Sequence, residues 1–248
     1  QDEQSLLKPT IELNVSEVNS KYNPSDPIVG FIGAGNYASG TLIPAFKSAN
    51  VQLDTLVTSG GVSAVHHGNK LGFKLAATEL NELWNNKNIN TVAIATRHNL
   101  HTNQVISAIK SGKNVFVEKP LALTLEDLNS IDFTFRKINN NRTEALRLMV
   151  GFNRRFAPHI IKIKSLLEVK REPKIIVMTI NAGSISSDHW TQDIQIGGGR
   201  IVGEACHFID LMQFLVGHSI KSHYAMKMGS STAIEVNEDK TTICLSFS

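Results

Sequence analysis

The stretch IVGFIGAGNYA at 28–38 limits the folds open to this chain more than any other. An apolar run without charge ends in Gly-Ala-Gly, and a helix-compatible segment, 36–48, follows at once. Residues Gly33, Ala34, Gly35, Asn36, Tyr37 and Ala38 fit G-x-G-x-x-[GA]. In that pattern the glycines allow a tight turn and let backbone approach a pyrophosphate, and a small last residue lets helix pack on strand. The helix N-terminus then offers amide donors and the positive end of its dipole to the phosphates. Position gives the pattern its weight, because it follows the first strand of the series and opens the first helix.

The series continues. Strands are predicted at 51–58, 90–96, 114–117 and 146–150, alternating with helices at 62–71, 78–84, 101–111 and from Thr124 to about 136. Gly112 is a favoured residue just past a helix end, and Thr124 to Asp127 reads as a capping box with Asp in the Glu position. Near-uniformly apolar strands between helices predict a parallel sheet covered on both faces. Residues 27–152 are therefore expected to form a doubly wound, Rossmann-type α/β domain. Residues 1–26 are polar and close on NPSDP, which reads as a linker. After 152 the pattern changes to a helix at 159–169, a long strand at 174–182, a glycine-rich loop, a helix at 201–215, and strands at 222–229 and 241–247. Strands without intervening helices predict an α+β domain with an antiparallel or mixed sheet over 153–248.

Charge removes several functions. The 25 basic and 22 acidic residues leave +3, too little for a polyanion partner. KREPK at 170–174 and NRR at 153–155 are short and lack interleaved aromatics, so no nucleic-acid partner is expected. No apolar run approaches the roughly 18 residues that span a bilayer, and Asp2, Glu3 and Lys8 break a signal-peptide pattern. Cys206 and Cys244 are too few and too far apart for a disulfide framework, which makes a reduced, cytoplasmic compartment the expectation. The pairs Cys206/His207, His66/His67 and His98/His101 match no tetrahedral spacing, so no metal is expected.

A dinucleotide fingerprint also wants an acid at the end of the second strand, to hold the ribose 2′-hydroxyl. Thr58, Ser59, Gly60 and Gly61 stand there instead, Asp54 lies about four residues too early, and no arginine is in place for a 2′-phosphate. NAD and NADP both stay open.

With TRHNLHT at 96–102, GKNVFVEKPLALT at 112–124 and GGGRIVGEACHFID at 197–210 added to the glycine loop, the chain resembles the glucose–fructose oxidoreductase / inositol dehydrogenase (Gfo/Idh/MocA) family from Ile28 to its end. The resemblance implies an oxidoreductase that moves hydride between a nicotinamide and a secondary hydroxyl of a sugar, cyclitol or sugar nucleotide. Lys119 of EKP is implied to enter the cleft, hydrogen-bond the reacting hydroxyl and help orient the nicotinamide. Glu118 is implied on the cofactor side, and a cis bond at Pro120 aims the lysine. Gly33, Gly35, Asn36, Tyr37, Ala38, Thr58, Ser59, Thr96, Asn99 and His101 complete the implied cofactor site, with helix capping as the other reading of Asn99. His207 matches the family's cleft histidine and is the implied general base, or else a core residue of its helix.

One departure stands out. Many members carry an aspartate four residues before that histidine, where this chain has Gly203 with Glu204 beside it. Arg154 and Arg155 could hold a substrate hydroxyl, phosphate or carboxylate, or form an interdomain salt bridge, and Trp190 could stack on a sugar. The lead-in and the GEACHFID wording resemble members fused behind a zinc-dependent alcohol dehydrogenase-like domain. The expectation is thus a fragment lacking an upstream domain and the last strands of its second sheet, prone to homo-oligomerise. An NAD-using glycosidase and a non-catalytic NAD(P)-binding module are the alternatives.

Overall fold

Every residue of β2 (Ile28–Ile32) is buried, and alternate ones face different cores, as the two-residue period of a strand requires. Ile28 and Ile32 join Leu83, Val92, Ile94, Val105, Ile109 and Ile131. Val29 and Phe31 join Leu42, Ile43, Leu56 and Phe73. Phe31 meets Phe46 and Phe73 edge to face, with centroids 5.1 and 5.8 Å apart. A sheet buried on both faces explains why its strands read as unbroken apolar runs.

The computed structural model describes residues 9–13, 26–169, 172–229 and 240–248. The chain divides into two compact units, Gln1–Val150 and Gly151–Ser248. In the first unit, β3 (Gln52–Val57), β4 (Leu75–Ala77), β5 (Thr91–Ile94), β6 (Asn114–Val117) and β7 (Leu148–Val150) run parallel to β2, in the order β4-β3-β2-β5-β6-β7. This is the strand order of a dinucleotide-binding domain, with its switch point between β2 and β5. The expected doubly wound α/β architecture is borne out.

Helices α1 (Ile43–Ser48, entered through a π turn at Ala38–Leu42), α2 (Gly61–Leu71), α3 (Asn81–Trp84), α4 (His101–Lys110) and α5 (Leu125–Asn139) fill the connections. Gly112 adopts φ +75° just past α4. At α5 the Thr124 hydroxyl oxygen accepts from the Asp127 amide at 3.1 Å and its proton goes to the Asp127 carboxylate at 2.9 Å. The expected cap is present, closed side chain to side chain.

Two short strands depart from the expectation. β4 falls between the predicted helices at 62–71 and 78–84, where no strand was predicted, because three residues, LAA, are too few to show a period. β1 (Thr10–Glu12) pairs antiparallel with β4 and covers that edge of the sheet. It lies inside the predicted linker, most of which falls outside the described residues.

Lys113, only 4% exposed, closes the end of the sheet where β6 begins. Its ammonium donates to the carbonyls of Asn86 and Ile89, each at 2.9 Å. Burial pushes its pKa down and the Asp54 carboxylate partly opposes this. Asp54 itself is 5% exposed and accepts from Thr55 Oγ1 and Asn86 Nδ2 at 2.7 and 2.9 Å. The only acid near the expected ribose position is thus part of this internal network. Lys113→Ala leaves two carbonyls unpartnered and removes a buried counter-charge, so it is expected to cost about 3 kcal/mol, read as a lower urea midpoint of the first unit.

The second unit contains α6 (Pro158–Glu168), α7 (Cys206–Val216, entered through a π turn at Ile201–Ala205) and an antiparallel pair, β8 (Ile220–Lys227) with β9 (Thr241–Phe247). The antiparallel sheet is as expected. The predicted strand at 174–182 is not formed: those residues are irregular, with Ile175 97% exposed. A strand needs a neighbour for its amides and carbonyls, and among the described residues none pairs with this segment.

Candidate active site

The carboxyl ends of β2, β3, β5 and β6 carry the predicted cofactor residues. Gly33 follows β2 at φ +97°, and a Cβ there would stand 2.4 Å from the Ala95 carbonyl oxygen. Its amide donates to Val57 O at 2.9 Å. The protein's own packing therefore demands glycine. At Gly35 a built Cβ meets nothing within 4 Å, so protein packing does not account for the missing side chain there. Close approach by a phosphate would account for it, at the head of the helical run that Asn36 and half-exposed Tyr37 begin. Ala38 is buried against β2, as the last position of the fingerprint requires. These residues fit a dinucleotide.

Thr58 follows β3, and its hydroxyl donates to Gly60 O at 2.7 Å, which shapes the turn with exposed Ser59 beside it. After β5, the Thr96 hydroxyl donates to Gln104 Oε1 at 2.7 Å. Asn99 is exposed in the 3-10 turn His98–Leu100, and α4 has no side-chain cap, so the capping reading of Asn99 is set aside.

His101 does not face the crevice as expected. It is 0% exposed, with Nδ1 2.7 Å from Pro120 O and Nε2 3.2 Å from Thr96 O. A histidine at a helix start beside a glycine loop gives no sign in sequence that its ring turns inward. Burial is the main cause lowering its pKa; the two carbonyls raise it and the Lys119 charge lowers it again.

Glu118 and Lys119 follow β6, both partly buried, and the Lys119–Pro120 bond is cis. The Glu118 amide donates to Ile94 O at 2.9 Å, the last rung between β6 and β5. Burial raises the Glu118 pKa, against the pull of the Lys119 charge and amide.

The His101 shift has a consequence for stability. With its folded pKa below the ordinary 6.5, the unfolded chain takes up that proton first as pH falls. The contribution is intact above about pH 6.5 and is lost as pH drops toward the folded value. Glu118, shifted upward, works with the opposite sign. Melting temperatures between pH 7.5 and 5 are expected to fall less in His101→Asn than in the wild type. His98, with its ring 5.8 Å away, and Lys119 are the titratable or charged groups placed against His101.

In the second unit His207 is 7% exposed on α7, with its ring edge to face with Phe152 at 6.1 Å. Gly203, buried, and Glu204 lie in the π turn directly before it. The Glu204 carboxylate accepts from Arg154 Nη2 at 3.3 Å, and that guanidinium lies 4.5 Å from the Phe208 ring centroid. Arg155 makes a two-pronged ion pair with Asp210, Nε at 3.0 Å and Nη2 in close contact. Both arginines, read from sequence as a substrate contact or a salt-bridge partner, are thus engaged by α7 and its entry turn. The salt-bridge reading of Arg155 holds, but inside the second unit rather than between domains. Trp190 packs near His189, centroids 5.9 Å apart, in a loop where a Cβ on Gly197 would stand 2.4 Å from Thr191 Cα. Among the described residues no group of three or more His, Cys, Asp or Glu is placed to hold a metal, and no helix is long and apolar enough to cross a membrane.

Comparison with known proteins agrees with this geometry. Residues 28–145 match the Gfo/Idh/MocA oxidoreductase family, NAD-binding Rossmann fold, and residues 162–248 match the same family's C-terminal alpha/beta domain. Myo-inositol 2-dehydrogenase of Thermotoga maritima is 29% identical over 156 residues, 63% of this chain and 45% of that protein. Oxidoreductase P35 of Formosa agariphila is 31% identical over 193 residues, 74% of this chain and 58% of that one. A levoglucosan dehydrogenase solved with NADH and levoglucosan shares the fold, with TM-score 0.73 and 21% identity over 90% of this chain and 64% of its own. The chain spans less than two thirds of the length of each. It belongs to the Gfo/Idh/MocA oxidoreductase family.

Proposed function

We propose that this member of the Gfo/Idh/MocA family is an NAD(P)-dependent oxidoreductase acting on a secondary hydroxyl of a sugar, cyclitol or sugar nucleotide. The observation that carries the reading is Gly35, a position where protein packing does not require glycine, at the sheet's switch point with Lys119 at a strand end on the same side. Relatives named for inositol and 1,5-anhydro-D-fructose support the substrate class.

Gly33, Gly35, Asn36, Tyr37 and Ala38 would hold the pyrophosphate, and Thr58 and Ser59 would receive the adenosine ribose. Thr96, Asn99 and Glu118 line the nicotinamide side. A bound nicotinamide supplies the hydride chemistry. Lys119 binds the reacting hydroxyl and favours its alkoxide form, and His207 takes the proton. His207→Ala is expected to lower turnover by about 10²–10⁴-fold while NADH binding is retained, read by steady-state rates and NADH titration. Trp190, Arg154 and Glu204 are the proposed substrate contacts, with Arg154 and Glu204 reaching substrate as a pair. A homo-oligomer, a cytoplasmic location and an upstream zinc-dependent alcohol dehydrogenase-like domain complete the proposal.

One observation favours a second reading, a cofactor-binding module without turnover or a glycosidase that uses NAD transiently. Gly203 offers no carboxylate, and Glu204 is committed to Arg154. Titration with NADH and with NADPH, followed by a polyol and sugar screen, separates the readings. Binding plus oxidation of a polyol supports the dehydrogenase, binding without any turnover supports the module, and binding of neither cofactor removes both.

A further inference from the structure

We propose that His101 is the positioning residue for Lys119: its imidazole donates from Nδ1 to Pro120 O and clasps the Lys119–Pro120 turn to the start of α4. The inference rests on the dehydrogenase reading only for the use made of Lys119.

The β5–β6 ladder ends where the Glu118 amide reaches Ile94 O. Beyond it the two chains leave the sheet, yet both must stay in register if the lysine is to keep one direction. The imidazole continues the link where the backbone ladder stops. It reaches Pro120 O at 2.7 Å on one side and Thr96 O at 3.2 Å on the other. Neutral histidine has one N–H, and the shorter contact takes it. The ring cannot drift, because His101 is wholly buried at the start of α4 and the neighbouring Thr96 hydroxyl is held by Gln104. The neutral form also spares Lys119 a second cation beside it. A residue seated this way touches neither cofactor nor substrate and acts through the lysine it holds.

The geometry selects the variants. Asparagine Nδ2 stands the same two bonds from Cβ as histidine Nδ1 and can keep the bond to Pro120. Glutamine places its amide one bond too far, and alanine removes it. The readout is the rate at which sulfosuccinimidyl acetate modifies Lys119 relative to Lys47 and Lys164, by peptide mass spectrometry, on variants with native circular dichroism. His101→Asn is expected to label like the wild type, and His101→Gln and His101→Ala about fivefold faster at Lys119 alone, the factor one net hydrogen bond sets. Equal Lys119 rates in all folded variants overturn the clasp. Imidazole 15N spectra of the wild type test it without substitution: an Nδ1–H tautomer is expected, and an Nε2–H tautomer overturns it. NADH binding is measured alongside. A wild type that fails to bind NADH removes the dehydrogenase reading while the labelling still decides the clasp.

Discussion

Lys119→Ala is expected to lower turnover by about 10²–10⁴-fold, the range for removing a group that handles a proton in the transition state. NADH affinity is expected to change by less than about threefold, because phosphate and ribose contacts dominate binding and this side chain would meet the reacting hydroxyl. The split between a large loss in kcat and a small change in cofactor Kd marks a residue that works in the chemical step. It is checked by steady-state rates with the best polyol from the screen and by quenching or enhancement of NADH fluorescence. Equal losses in both would make Lys119 a cofactor anchor instead. Lys119→Arg keeps the charge, but its planar fork cannot act as a point donor in the same place, so it is expected to recover little of the rate.

The second large effect separates two glycines that look alike in sequence. Gly35→Asp is expected to weaken NADH binding by more than about 100-fold, since a carboxylate where the pyrophosphate approaches adds like-charge repulsion of several kcal/mol. Its melting temperature should stay near that of the wild type, because a side chain there meets no protein atom within 4 Å. Gly33→Ala behaves the other way. A left-handed φ and a Cβ 2.4 Å from Ala95 O make it a folding lesion, expected to cost about 1–3 kcal/mol from backbone strain alone. Thermal melts and NADH titrations on the two variants check the contrast. A Gly35→Asp chain that binds normally would remove the glycine loop from the cofactor site.

Much of the first unit was legible because its signals are local. Strand, glycine turn and helix follow one another without a break, and a fully buried parallel strand can hardly avoid reading as an apolar run. The Thr124 cap and the Gly112 stop are equally local and appear in place. The illegible parts depend on a distant partner. β1 exists because β4 lies open beside it, and 174–182 stays irregular with no partner strand among the described residues, although its residues favour a strand. Sequence carries strand propensity, but pairing decides the strand.

The same division runs through the candidate site. Sequence alone determined the glycine loop, the strand ends that carry Thr58, Thr96 and Lys119, and the family to which these motifs point, since each is a contiguous pattern with its own physical cause. Tertiary structure alone decided which polar groups turn inward. Asp54 and Lys113 became an internal network, His101 a buried partner of the Pro120 carbonyl, and Arg155 a partner of Asp210. A polar side chain goes where buried backbone or an opposite charge needs a partner, and that need arises only when segments far apart in the chain meet.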